Sequence, residues 1–94
     1  MQDTAVLVHL DLRGQTKEGY ERLFALMRAQ LERAPGFVMH AAYPLSGGWR
    51  VVETWKTRAD ADAFFLCTVA PRLTQGLRHT RQVVELHNLA GRRA

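Results

Sequence analysis

Residues 5–12, AVLVHLDL, carry aliphatic side chains on both parities and are interrupted only by His9 and Asp11. A strand covered over most of both faces has this composition, and Gly14 ends it. The apolar period then changes. Tyr20, Leu23, Phe24, Met27, Leu31 and Ala34 recur at steps of three and four, which is one stripe of a helix. Thr16 is placed to cap that helix, and Pro35-Gly36 stops it. FVMHAAY, 37–43, and WRVVETWK, 49–56, return to strand composition around PLSGG, whose proline and paired glycines suit a tight reversal. This predicts an antiparallel hairpin. Thr57 or Asp60 is the candidate cap of a second helix with apolar positions Ala61, Phe64, Phe65, Thr68 and Val69, and Pro71 disturbs its hydrogen-bond ladder. RLTQGL connects it to a last strand over residues 82–89, QVVELHNL.

The order β-α-β-β-α-β predicts one α+β domain over 1–94 of the ferredoxin-like split type: a four-stranded antiparallel sheet with both helices on one face. The other face is left bare. Because the first two strands are apolar on both sides, a second copy of the chain is the economical cover, so a homodimer is expected.

Composition narrows the function classes. At 94 residues, 47% hydrophobic and 23% charged, the chain reads as an ordinary globular domain without repeats or low-complexity segments. It has no apolar run long enough to cross a bilayer, and MQDT has an acidic residue where a signal peptide is basic, so no membrane association and a cytoplasmic location are expected. The lone Cys67 within FFLCTV reads as a small packed hydrophobe. The net charge of +4 comes from dispersed residues, Arg13, Lys17, Arg22, Arg28, Arg33, Arg58, Arg72, Arg78 and Arg81 among them, which reads as solvated surface without nucleic-acid binding. Arg92 and Arg93 fall in a tail expected to fray. The four histidines show no ligand spacing, so no metal is expected, and no glycine loop cradles a phosphate, so no cofactor is expected either.

Candidate chemistry lies on the second hairpin strand. Trp49, Val51, Glu53 and Trp55 share a face, combining flat aromatic area with one acid. Their partners depend on register. Pairing Ala42 with Trp49 adds Val38 and His40, whereas pairing Tyr43 with Trp49 adds Phe37, Met39 and Tyr43. With His40 beside Glu53, the carboxylate orients the imidazole as a general base for an acidic phenol or β-dicarbonyl proton. The plainer reading is a structural histidine bonded to backbone and a glutamate paired with an arginine. His40, Glu53 and Trp55 are thus the candidate catalytic residues. His9, Trp49, Phe64, Phe65 and His87 are the candidate substrate-binding residues, for a hydrophobic small molecule.

The succession GFVMHAAYPLSGGWRVVETWKTRADADAFF, APRLTQGL and VVELHNL resembles the antibiotic-biosynthesis-monooxygenase-like family over nearly the whole chain. The resemblance implies a dimeric α+β barrel with a pocket between sheet and helices in each subunit. For some members it implies oxygenation of aromatic polyketides without metal or flavin; others degrade haem, cyclise polyketides or isomerise small molecules. The oxygenases and haem-degrading members resemble each other in an asparagine on the first strand and a tryptophan near the second helix. This chain has Leu7 and His9 near the first place and Phe64 near the second, and its only asparagine is Asn88. Where the haem-degrading members carry an axial histidine, it reads PRLTQG. The expected function is cofactor-independent oxygenation or cyclisation of an aromatic or polyketide-type substrate. The alternative is a non-catalytic dimer that binds a small ligand or serves as an accessory protein.

Overall fold

A computed structural model describes residues 4–74 and 76–91, so Arg92 and Arg93 lie outside the described residues. Strand β1 is Val6–Arg13, helix α1 Lys17–Arg33, strand β2 Phe37–Leu45, strand β3 Gly48–Trp55, helix α2 Arg58–Phe64 and strand β4 Arg78–Glu85. The strands form one antiparallel sheet in the order β2-β3-β1-β4. This is the ferredoxin-like α+β arrangement that the element order predicts.

Parity divides β1 cleanly. Val6, Val8, Leu10 and Leu12 are buried and face the helices, while the odd positions face the other way. Met27 and Leu31 of α1, Val51 and Trp55 of β3, and Ala61 and Phe64 of α2 close the same core with Val69, and Tyr20, Leu23, Phe24 and Phe37 pack around it. Thr16 caps α1 by accepting from the Gly19 amide at 3.0 Å. Of the two candidate caps of α2 it is Thr57 that serves, accepting from the Asp60 amide at 3.0 Å. Gly36 ends the α1–β2 connection at φ 79°, and a Cβ there would collide with the Asp60 carboxylate. That close approach docks the end of α1 on the start of α2.

Several expectations shift. The hairpin loop is only Ser46-Gly47, so both strands extend into PLSGG. Pro44 pairs with Trp49, two residues beyond the Ala42 pairing and on the same parity. A bulge between Phe37 and Met39 then sets Phe37 opposite Trp55, so Phe37 takes the inner place anticipated for Val38, which is exposed. After α2 the chain continues as one wide π-helical turn, Phe65–Val69, and a short 3₁₀ turn, Ala70–Arg72, which holds Pro71. Cys67 rides on the outside of that wide turn and is exposed, so it is not the packed hydrophobe its neighbours imply. Strand β4 starts and ends four residues earlier than anticipated, because its pairing is dictated by β1: Arg78 lies opposite Arg13 and Glu85 opposite Val6.

The outer sheet face carries an ion pair in an apolar field. Arg50 Nε and Nη2 donate to the two Asp11 carboxylate oxygens at 2.7 and 2.9 Å. The Arg50 hydrogen bond holds the Asp11 carboxyl below its usual range. Around it Val38, Met39, Tyr43, Val84 and Leu89 are exposed.

Candidate active site

On the inner face, β2 and β3 bring His40 directly opposite Glu53. The His40 Nδ1 to Glu53 Oε2 distance is 2.7 Å, with the two side chains only 11% and 14% exposed. The other carboxylate oxygen, Oε1, accepts from the indole N–H of Trp55 at 2.9 Å, two residues along the same strand. Glu53 is therefore held at both oxygens. An ionised carboxylate only accepts, so the proton on the near side of the imidazole sits on Nδ1, and in the neutral ring Nε2 presents its lone pair.

That lone pair is aimed at Tyr20. The Tyr20 hydroxyl lies 2.7 Å from His40 Nε2. Burial, and secondarily the Glu53 charge, push the Tyr20 phenol above its ordinary value, so it stays protonated at neutral pH and donates to His40. The result is a continuous chain, Trp55–Glu53–His40–Tyr20, crossing from β3 through β2 to α1. It has the logic of a nucleophile or acid, a base and an orienting carboxylate.

Aromatic rings set its walls. Tyr20 stacks on Trp49 at 5.6 Å between centroids and on Phe24 at 5.8 Å, and Phe24 stacks on His40 at 5.0 Å. Trp55 is 1% exposed and wedged between Phe37 at 5.5 Å and Phe64 at 5.4 Å. The Trp49 indole nitrogen is buried with no hydrogen-bond partner among the described residues.

The interior is closely filled. Between sheet and α2 lies a cavity of about 20 Å³ lined by Val8, Leu10, Val51, Glu53, Ala61, Phe64, Phe65, Val69 and Arg81. That is room for about one water. The roomier clefts are elsewhere: about 420 Å³ between the end of α1 and α2, and about 530 Å³ on the outer sheet face against Leu89 and Ala90.

The candidates divide accordingly. His40, Glu53 and Trp55 meet in one hydrogen-bonded group, Trp49 stacks at its Tyr20 end, and Phe64 and Phe65 line the small cavity beside Glu53. Two histidines are not brought there. His9 pairs with Val52 and Gln82 on the outward parity of β1, so it lies on the opposite sheet face. His87 is exposed and lies beyond the end of β4. Conversely, Tyr20 reads in sequence as one more member of an apolar stripe, and its hydroxyl was the available signal. Arg81 reads as one of many surface cations, yet it shares the inward parity of Val83 and its side chain is 17% exposed. No metal-sized group of three or more His, Cys, Asp or Glu residues occurs among the described residues.

No family model and no curated protein matches this sequence. Solved structures do match. SnoaB of Streptomyces nogalater, a cofactor-independent oxygenase, superposes with a TM-score of 0.68 at 17% identity, over 93% of this chain and 96% of that one. MhuD, a haem-degrader of Mycobacterium tuberculosis with two haems bound in its active site, superposes with a TM-score of 0.62 at 18% identity, over 92% and 99% of the two chains. The fold is that of the antibiotic-biosynthesis-monooxygenase-like proteins. It agrees with the α+β fold implied by the resemblance over nearly the whole chain, and at these identities it speaks for architecture and not for chemistry.

Among the described residues no helix is long and apolar enough to cross a membrane.

Proposed function

We propose that the protein is an enzyme that removes a proton from a small aromatic or polyketide-type molecule and so starts a cofactor-independent oxygenation or cyclisation. The observation that carries this reading is His40 held between Glu53 and Tyr20 at 2.7 Å on either side. As a phenol or β-dicarbonyl proton moves to the Tyr20 oxygen, the Tyr20 proton moves to His40 Nε2, and Glu53 balances the resulting imidazolium. The substrate carbanion then attacks its own carbonyl or combines with dioxygen. In the second case one oxygen atom replaces the two hydrogens of a methylene as a ketone, and the other leaves with them as water. A ring-sized guest needs more space than the cavity offers, so binding displaces Phe65, which is half-buried at the rim.

A metal-stripped preparation is expected to turn over an anthrone-type or poly-β-ketone substrate, with His40→Ala slowing it at least tenfold, about 1.4 kcal/mol of barrier. Equal rates in the two proteins would remove His40 from the mechanism. A second reading, a non-catalytic ligand-binding or accessory protein, is favoured by the small size of the cavity. It predicts that a bound molecule is recovered chemically intact and that no candidate substrate is consumed.

The same proposal takes the working form as a homodimer joined through the outer sheet face. Val38, Met39, Tyr43, Val84 and Leu89 support it, since they leave an apolar field around the Asp11–Arg50 pair. Light scattering is expected to give the mass of two chains, and Val84→Glu to shift it toward one. A wild-type mass of one chain at micromolar concentration would eliminate the dimer.

A further inference from the structure

Arg81 enters the core from β4, opposite Leu10, and lines the small cavity that Glu53 also lines. Its Nη1 is 2.8 Å from Asp62 Oδ1 of α2, an ion pair that is not aligned as a hydrogen bond. Its guanidinium lies 4.8 Å over the Phe65 ring. Its Nη2 is buried with no hydrogen-bond partner among the described residues. Asp62 is also divided, since Arg58 Nε approaches its other oxygen at 3.6 Å.

A cation withdrawn beneath a helix is costly unless its donors are satisfied, and a salt bridge to Asp62 alone could have been made at the surface. The donor left over is an N–H beside an aromatic wall, which is the chemistry that receives an anionic oxygen. We propose that Arg81 is a ligand-recognition residue whose Nη2 binds a carboxylate or phenolate oxygen borne on an aromatic ring, with the ring taking the place of Phe65. This rests on the small-aromatic-substrate reading above and adds the substrate's charge to it. The oxygen fits the existing cavity, which has room for about one water-sized group. Phe65 is the movable wall because its wide π-helical turn and its packing against the exposed His79 hold it less firmly than Phe64 is held by Trp55.

The test is a binding titration followed by NMR, with benzoate against benzamide and 4-nitrophenolate against nitrobenzene, the anions fully ionised. Wild-type protein is expected to bind each anion at least tenfold more tightly than its neutral counterpart. Arg81→Gln is expected to erase the preference and Arg81→Lys to keep part of it. Equal affinities within both pairs, no binding of any probe, or a preference that survives in Arg81→Gln would each overturn the proposal. A preference in one pair only identifies that anion as the one recognised. If Arg81→Gln fails to fold, the wild-type ratio and its decline with added salt decide the matter. His40→Ala is expected to retain the preference, so a wild-type protein that shows the preference but turns over no substrate counts against the base chemistry and not against Arg81.

Discussion

Trp55→Ala is expected to lower the unfolding free energy by about 3–5 kcal/mol, the range for removing a large aromatic from a core. Three contributions act together. The indole is 1% exposed, it packs against both Phe37 and Phe64, and its N–H is the hydrogen-bond donor to Glu53 Oε1. Phe37 comes from the start of β2 and Phe64 from the end of α2, so the ring joins elements at the far end of the sheet from the hairpin turn. Against a total stability of about 5–15 kcal/mol for a domain, the loss is large enough to be read directly as a shift in urea midpoint. Trp55→Phe restores much of the volume but not the N–H, and it is expected to fall between the two. A loss below about 1 kcal/mol for the alanine variant would mean that the ring is not the wedge described here.

The second large effect separates charge from hydrogen bonding at Glu53. Glu53→Ala strips the partner from both His40 Nδ1 and the Trp55 indole, and at about 1–3 kcal/mol for each unpaired donor the loss is about 2–6 kcal/mol. Glu53→Gln is expected to behave differently. Its amide oxygen still accepts from Trp55, and its amide N–H₂ donates to His40 Nδ1, which moves the imidazole proton to Nε2. Nε2–H then donates to the Tyr20 oxygen, and the chain runs in the opposite direction with every bond retained. Stability is thus largely kept while the base facing Tyr20 is abolished. Nitrogen NMR of His40 is the check: the ring proton is expected on Nδ1 in the wild type and on Nε2 in Glu53→Gln. On the proposed mechanism kcat falls with little change in KM. The same tautomer in both proteins would mean that Glu53 does not orient the ring.

Much of this protein is legible along the chain. The switch of apolar period at Tyr20, the cap at Thr16 and the reversal at PLSGG specify the elements and their order, because they depend on local backbone preferences. The inward parity of Trp49, Glu53 and Trp55 is equally local, as a strand's side chains alternate whatever it pairs with. The meeting of His40 with Glu53 is of another kind. A slip of one residue in the hairpin would have turned His40 outward, and the two-residue loop at Ser46-Gly47 is what prevents it. The bulge that exchanges Phe37 for Val38 leaves no mark in composition.

The sequence by itself therefore determined the α+β succession, the shared face of Trp49, Glu53 and Trp55 on β3, and the supply of one acid and one histidine to the hairpin. Only the tertiary structure decided that Tyr20 reaches across from α1 to close the chain, that His9 and His87 stand apart from it, and that Arg81 is drawn inside. Those outcomes rest on register and helix docking, which bring Tyr20 to His40 and Arg81 to Asp62, and a local pattern does not encode distances between elements.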